Sequence, residues 1–423
     1  MSQTNILGGE RATYVGEETT FGTTPSGSFP NAMVRVMATG EFVVGGLSQE
    51  MLDVADERVR RDDNPTKVHG LKIASKLDPL KVHLKAVPTA SQLDAGGALG
   101  SLTSRILCRH AFGAEHAAVG TTISGTTSTT TLLRVTDAAV FKKGTFIAVQ
   151  VGTEMEWARV DDIDTSATPD EVTISPALSA APTTAGTIVR NLYNYTRAET
   201  NSRTLTVQQA FVGDSTAQHT ANGCYGSLTF DIPEVGKLPT MTLGATVSDY
   251  ALGAQTLSVA AASDEMGAAF AWAPSVYLST SLARAARLVN EGITIEQVEA
   301  VELVRDPGAA STINSVVRTG GRPVACKANV KVRFDSAYDT AFAADTAYRF
   351  VVVQKIGTGT TCTFHIWEMP VARIVASPKR VKIGERLHME LMLEGYPDTP
   401  TVDDGETGED LDRVKSALRY AHG

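Results

Sequence analysis

Three separated stretches of the chain alternate apolar and polar residues with the period of a β-strand. The apolar positions are Leu80, Val82 and Leu84, then Leu228, Phe230 and Ile232, and finally Leu387, Met389, Leu391 and Leu393. Such alternation predicts antiparallel strands with one dry face and one polar face. Runs of this kind recur from about residue 66 to residue 396. The sequence therefore predicts a mainly β fold of sandwich or barrel units.

Length and turn signals divide the predicted strands into units. A chain of 423 residues is long enough for several domains of about 150 residues each. We predict two tandem sheet-plus-helix domains, the first made of residues 46–117 and 197–258 and the second of residues 259–397. A Thr-rich linker and a series of short strands interrupt the first domain, which predicts an inserted small β-barrel or sandwich at residues 118–196.

The sequence predicts three helices. Helical spacing of apolar residues predicts one over residues 91–112, packed on a sheet, and a glycine at residue 292, placed to end a helix, predicts another over residues 281–291. A third, short helix is predicted over residues 409–420, inside an acidic tail at residues 398–423. A lone short helix does not bury its apolar stripe by itself, so we expect it to dock on its own body or on a neighbour.

Two segments lack a regular pattern. The first 45 residues are rich in Thr, Gly, Ser and Pro and predict an extended arm, either disordered or laid over a neighbouring subunit, with Tyr14 and Phe21 as anchors. A mixed charge run at residues 53–64 predicts an exposed loop that is either solvated or a subunit contact. The candidate contact residues in that loop are Asp53, Glu57, Arg60, Arg61 and Asp62.

Composition narrows the classes of function. Hydrophobic residues make up 43% and charged residues 20% of the chain, which is typical of a soluble folded protein. The formal net charge of −9 argues against a broad basic surface that grips nucleic acid. The chain starts without a basic and apolar leader and has no apolar run of membrane-spanning length, so we expect it to be made in a cytoplasm. Its four cysteines lack metal-ligand spacing and are expected to be buried thiols.

No stretch carries a catalytic motif. Residues 357–362 (GTGTTC) lack the third glycine and the following helix of a dinucleotide loop, so they predict a hairpin turn. His110 and His116 stand outside any zinc-binding frame. The acidic stretch at residues 161–171 lacks the ligand spacing of a calcium loop and predicts a solvated hairpin. We therefore expect no catalytic, cofactor-binding or metal-binding residues and no enzyme activity.

The segment YVGEETTFGTTP at residues 14–25 resembles the start of major tail proteins, also called tail tube proteins, of long-tailed bacteriophages. Such chains open with a similar GEET-aromatic-GT-P stretch. Further likeness lies in the strand block at residues 67–86, the hairpin run at residues 226–247 with its GKLP sequence, and the last strands, which end at Gly395. The resemblance covers most of the chain outside the predicted insert.

This resemblance implies an architecture and a function. Family members place inner strands beside those of neighbours to close a β-barrel around a channel, and their rings stack into the tail tube of the virion. One-unit members form hexameric rings, so a chain with two units implies a trimeric ring with pseudo-sixfold symmetry. The family's arms and loops reach into the adjacent ring, the role implied for residues 1–45, the loop at residues 53–64 and the acidic tail. The insert resembles modules displayed on tube exteriors.

The implied partners are further copies of the chain, the tail terminator, tape-measure and distal tail proteins, and double-stranded DNA. The DNA passes through during genome delivery without specific binding, and carboxylates on the wall would repel its phosphates. The candidate channel-lining carboxylates are Asp231, Glu234, Glu390 and Glu394, with exposure to outside solvent as the alternative. Two other classes remain open: a capsid decoration protein or surface adhesin, and a hydrolase on a β scaffold.

Overall fold

Strands dominate the computed structural model of the chain, which confirms the predicted mainly β fold. The structure describes residues 11–25, 33–36, 75–84, 103–117, 119–197, 203–211, 216–233, 237–256, 259–263, 273–279, 292–298, 301–305, 313–318, 325–383, 386–397 and 416–423. The helix predicted at residues 281–291 lies outside these residues.

Before the first helix, the described strands are β1 (Arg11–Glu17), β2 (Met33–Val36), β3 (Ser75–Lys76) and β4 (Leu80–His83). Helix α1 (Thr103–Phe112) and strand β5 (Gly113–His116) follow. Ile106, Leu107 and Phe112 of α1 are fully buried in the main core. This confirms the second half of the helix predicted at residues 91–112; its first part, up to residue 102, lies outside the described residues.

Six strands then form a separate sheet. They are β6 (Gly120–Thr122), β7 (Leu132–Val135), β8 (Phe146–Val151), β9 (Glu154–Asp164), β10 (Asp170–Ser175) and β11 (Ile188–Asn191). Their order is β6-β11-β8-β9-β10-β7, and they enclose an apolar core of their own. All six lie within the predicted insert, which we refer to as the insert sheet.

The remaining elements belong to the main sheet, apart from the separate hairpin β20–β21 and the helices. The strands are β12 (Tyr193–Arg197), β13 (Leu205–Phe211), β14 (Thr216–Ile232), β15 (Thr240–Val247), β16 (Asp249–Thr256), β17 (Val259–Ser263), β18 (Ser275–Ser279), β19 (Ile293–Val298), β20 (Val301–Arg305), β21 (Ile313–Arg318), β22 (Ala325–Arg333), β23 (Tyr348–Ile356), β24 (Thr363–Ile374), β25 (Lys379–Ile383), β26 (Arg386–Tyr396) and β27 (Arg419–His422). Helix α2 (Ala337–Ala343) and a 3₁₀ turn (Gly359–Thr361) separate some of them.

Two long strands change partners along their length and thereby fold the main sheet over itself. The first part of β14 lies between β13 and β16, whereas its second part lies between β15 and β19. The first part of β24 pairs with β27 and its last part with β26, while β23 runs along its other side. The layers that diverge at these strands enclose one continuous apolar core.

The three alternating stretches of the sequence lie in one curved layer of this sheet. The layer is a half-barrel with the strand order β4-β15-β14-β19-β22-β26-β25. On its dry side Leu80, Phe230 and Leu391 are fully buried, as period-2 patterning predicts. Leu387 is an exception at the end of β26, with 44% of its surface exposed. The division of the main sheet into two tube domains stays a prediction.

The predicted helix at residues 409–420 is wrong over residues 416–420. Residues 419–422 form β27, which is inserted between β12 and β24. Tyr420 and His422 are buried there. The strand is more stable than a helix for these residues, because a strand inside the sheet has backbone hydrogen bonds on both sides and both of its faces buried. A helix would bury only one stripe of side chains.

The predicted N-terminal arm is wrong over residues 11–25 and 33–36. Strand β1 pairs with β13 over its whole length and with β2 on its other side. Val15 is fully buried in the main core. The Thr- and Gly-rich composition that indicated an arm instead supplies hydrogen-bonding side chains and a turn.

None of the helices within the described part of the chain is long and apolar enough to cross a membrane.

The burial of β27 predicts an acid-sensitive fold. Burial, together with His365 and Arg105, holds the pKa of His422 well below its ordinary value of 6.5. The unfolded chain therefore gains a proton as the pH falls below that value, while folded His422 stays neutral. Stability is thus lost on acidification, by at most about 1.4 kcal/mol per pH unit from this group.

We expect His422→Phe, which keeps a ring in place, to reduce the loss of unfolding free energy between about pH 7 and pH 5. Chemical denaturation at each pH measures it. His83→Gln, at an exposed position on β4, is the matched control and should keep the wild-type slope. An equal slope in all three proteins would contradict the assignment.

Candidate assembly surfaces

The side of the half-barrel away from its dry side is a polar face that holds three of the four predicted channel-lining carboxylates. Asp231 lies on β14, and Glu390 and Glu394 lie on β26. All three side chains are partly exposed. Glu234 lies outside the described residues. The structure thus brings Asp231, Glu390 and Glu394 onto one surface.

Each of these carboxylates lies close to basic residues of other strands in the layer. Lys81 Nζ lies 3.3 Å from Asp231, and both side chains are more than 40% exposed. In the strand register, Glu390 stands opposite a lysine on each side, and Glu394 stands opposite a lysine and an arginine. These partners are Lys331 and Lys379 for Glu390, and Lys327 and Arg373 for Glu394.

Opposite charges on adjacent strands stabilise a sheet and cancel at a distance. A channel wall built from this face would therefore carry paired charges instead of bare carboxylates.

The two end strands of the half-barrel, β4 and β25, each have one side without a described partner. In the part of the chain that the structure describes, β4 pairs with β15 alone and β25 with β26 alone. Such edges carry backbone groups that can pair with another chain. Strand β25 has the sequence KRVKI, and charged residues of this kind discourage unspecific edge pairing.

A turn after β1 is fixed by a buried carboxylate. Glu18 is 6% exposed and accepts four hydrogen bonds: from Gly22 N at 2.8 Å, Gly223 N at 2.7 Å, Thr204 Oγ1 at 2.5 Å and Thr206 Oγ1 at 2.8 Å. The carboxylate therefore joins the turn to β13 and β14. Gly22 has a φ of +71°, a conformation that favours glycine.

Glu17, the preceding carboxylate, pairs with two arginines. Arg109 Nε of helix α1 lies 3.2 Å away and Arg203 Nη1 2.6 Å away. These contacts tie β1 to the helix and to the start of β13. The two glutamates of the GEET segment, which resembles tail tube proteins, thus stabilise the fold of this chain.

Tyr14 and Phe21, the predicted arm anchors, both lie against the chain's own sheet. Tyr14 stands on β1, opposite Gln208 and Arg35, and is half-buried. The ring of Phe21 would lie 3.1 Å from a Cβ atom at Gly223, where φ is +60°. Their contact with a neighbouring subunit stays a prediction. The charged loop that holds Asp53, Glu57, Arg60, Arg61 and Asp62 lies outside the described residues.

The insert sheet shares an apolar contact with the main sheet. Phe146 and Trp157 of the insert pack in one cluster with Tyr277, Val353 and Phe364 of the main sheet. The rings of Trp157 and Tyr277 are 5.4 Å apart and nearly perpendicular. The insert is therefore held by a packed surface as well as by its two chain connections.

A buried ion cluster reinforces this contact. Glu368 on β24 is fully buried and meets Arg419 of β27 at 3.2 Å, Arg349 of β23 at 3.4 Å and Arg159 of the insert strand β9 at 3.6 Å. Burial favours the neutral acid, but the three guanidiniums outweigh it and hold the pKa of Glu368 below its ordinary value of 4.5. One carboxylate thus binds three strands from both sheets.

Sequence reasoning missed Glu18 and Glu368 as organising residues. Glu18 lies within the quoted GEET segment, so its local motif was a usable signal. Glu368 has none, because Arg159, Arg349 and Arg419 are far apart in the sequence and meet only through strand pairing.

The cysteines and the glycine-rich stretch considered in the sequence have structural roles. All four cysteines are free and buried, as predicted, and burial raises the pKa of Cys108, Cys224 and Cys326. Residues 357–362 form the predicted hairpin turn between β23 and β24. No group of three metal-ligating side chains occurs among the residues that the structure describes.

Comparison with protein-family models and with curated proteins finds no match to this chain.

Replacing Glu18 tests the role of the turn. In Glu18→Gln the amide group would meet donors on every side, so we expect a loss of about 1–3 kcal/mol of unfolding free energy. Urea denaturation measures it. Thr19→Ala, at an exposed position of the same turn, is the control and should change stability by less than about 0.5 kcal/mol. Similar losses in both variants would contradict the role of Glu18.

Replacing Glu368 tests the ion cluster. Glu368→Gln leaves three arginines without their carboxylate, and breaking a buried pair of this kind costs about 3–5 kcal/mol. Glu390→Gln on the polar face removes a partly exposed carboxylate and should cost no more than about 1 kcal/mol. Thermal and chemical unfolding compare the two. A small effect of Glu368→Gln would show that the cluster does not hold the sheets together.

Proposed function

We propose that this chain is the structural subunit of a bacteriophage tail tube, in which copies form stacked rings around a channel for genome delivery. The observation that carries the proposal is the half-barrel: seven described strands with one dry side, one polar side and an outer strand at each end that pairs on one side only. Further half-barrels placed edge to edge would complete a closed wall.

Edge-to-edge closure supports a ring because it removes exposed backbone groups from every copy. Strands β4 and β25 differ in sequence, so joining them is a heterologous contact. Heterologous contacts generate rings when the rotation closes. We propose a ring of three copies with pseudo-sixfold symmetry, or of six.

The polar face supports a passive channel. Duplex DNA binds walls whose Lys and Arg replace its counterions, with strong salt dependence. Where carboxylates and lysines alternate on adjacent strands, the carboxylates weaken the attraction of the lysines for DNA phosphates. The lysines in turn weaken the repulsion between the carboxylates and those phosphates. Such a wall would let the duplex move. The proposal includes no enzyme activity. The resemblance of the GEET segment at residues 16–19 to tail tube proteins supports it further.

Electron microscopy of the purified protein at high concentration tests the proposal. We expect hollow rings or tubes, with DNA-sized channels. Discrete particles without a channel would favour a decoration protein or adhesin and overturn the tube proposal, and a monomer at every concentration would overturn it as well.

Two proline variants of the edge strand test closure. Successive N–H groups of a strand point to opposite sides, so of Arg380→Pro and Val381→Pro one removes a hydrogen bond to β26 and the other removes an outward donor. We expect the outward variant to fold with a thermal midpoint near wild type and to form no rings. The inward variant is its matched control and should lose stability. Rings from a stable outward variant would contradict closure through β25.

A further inference from the structure

One dipeptide of β14 is chemically reactive. Asn222–Gly223 is the only place in the sequence where an asparagine precedes a glycine. In such a pair the glycine amide nitrogen can attack the side-chain carbonyl carbon of the asparagine, because glycine has no side chain to hinder the approach. The pair lies where β14 passes from the layer of β13 and β16 to the layer of β15 and β19. It is therefore a candidate site of spontaneous modification.

The fold itself requires this glycine. Gly223 has a φ of +60°, and a Cβ atom there would lie 1.9 Å from Ser248 Oγ and 3.1 Å from the ring of Phe21. Ser248 also fixes the peptide that joins the pair, since its N and Oγ donate to Asn222 O at 3.2 Å and 3.0 Å. The reactive pair is thus a consequence of the tight packing at this bend of β14.

Hydrogen bonds hold both reacting groups in the folded chain. The nucleophile, Gly223 N, donates to Glu18 Oε1 at 2.7 Å. The side-chain carbonyl, Asn222 Oδ1, accepts from Thr206 Oγ1 at 3.0 Å and from Thr24 Oγ1 at 3.2 Å. The turn after β1 therefore supplies one contact to each reacting group.

The reaction requires these contacts to break. The Gly223 nitrogen loses its proton to a solvent base and bonds to Asn222 Cγ, while the side-chain amino group takes a proton from water and leaves as ammonia. Water then opens the succinimide ring at either carbonyl, which gives aspartate or isoaspartate. A nitrogen whose hydrogen points at Glu18 is not free to approach Cγ while the peptide stays extended in β14. The carboxylate therefore protects the pair as well as fixing the turn.

The product would not fit the same site. Thr206 Oγ1 lies 3.0 Å from Asn222 Oδ1 and 2.8 Å from Glu18 Oε1. A carboxylate at residue 222 would therefore stand beside that of Glu18, with one hydroxyl hydrogen between them, and like charges this close repel. Isoaspartate would also lengthen the backbone of β14 by one methylene and disturb its pairing with β13.

We propose that Asn222–Gly223 is a deamidation site that Glu18 protects in the folded chain and that reacts when the turn after β1 opens. The modification then prevents the turn from closing again, so it marks permanently the chains that have lost this contact. The inference does not depend on the proposed tube function.

Peptide mass spectrometry of protein aged in mildly alkaline buffer measures the conversion at residue 222. Glu18→Ala removes the acceptor of the Gly223 N–H. We expect it to deamidate at residue 222 about ten times faster than the wild type, since a hydrogen bond to a charged group no longer opposes local opening.

Glu368→Gln is the control, because it destabilises the fold at an ion cluster that shares no residue with the turn. Its rate at residue 222 should stay within about twofold of the wild type. Equal acceleration in Glu18→Ala and Glu368→Gln would tie the reaction to overall stability and overturn the protection by Glu18.

The wild type supplies a second measurement, which does not require either variant to fold. In guanidinium chloride that unfolds the chain, conversion at residue 222 should be at least about ten times faster than in the folded protein. Equal rates in the two states would overturn the proposal. Chromatography separates aspartate from isoaspartate peptides: a mixture supports the succinimide route, and aspartate alone would indicate direct hydrolysis and refute it.

Discussion

The structure depends on covering the dry side of one curved sheet. Six of the seven strands of the half-barrel turn buried side chains toward a common core, and no single strand or helix is wide enough to cover them. The long strands β14 and β24 leave one layer of the main sheet and enter another. A second layer of the same sheet therefore covers the dry side of the half-barrel. Helix α1 fills what remains, with Phe112 stacked near Tyr420.

The sequence predicted what depends on local period. Alternation located β4, β14 and β26, because side-chain direction in a strand is set by its immediate neighbours, and short runs between turn signals indicated the strands of the insert. It did not predict β27, since Leu418 and Tyr420 acquire their partners from β12 and β24, which are distant in the chain. Glu368 was missed for the same reason. The prediction of an arm over residues 11–25 was wrong, because composition does not reveal the four hydrogen-bond donors that Glu18 meets in the folded chain.

Net charge proved a weak guide to the polar face. The chain carries a formal charge of −9, yet Glu390 and Glu394 each stand opposite basic residues, and Asp231 pairs with Lys81 across the intervening strand β15. Register decides which charges meet, and register is fixed by the dry side of the same strands. The buried side of the half-barrel therefore also sets the electrostatics of its exposed side, without any direct contact between the two.

The position of β27 has a consequence for the order of events during folding. Tyr195 of β12 pairs with Tyr420, so β27 must enter between β24 and the much earlier strand β12. Until it arrives, β12 and β24 present unpaired edges and a gap in the aromatic core. Closing so long a loop is slow and leaves these edges open to chance partners. During synthesis, the sheet thus stays open between β12 and β24 until β27 has been made.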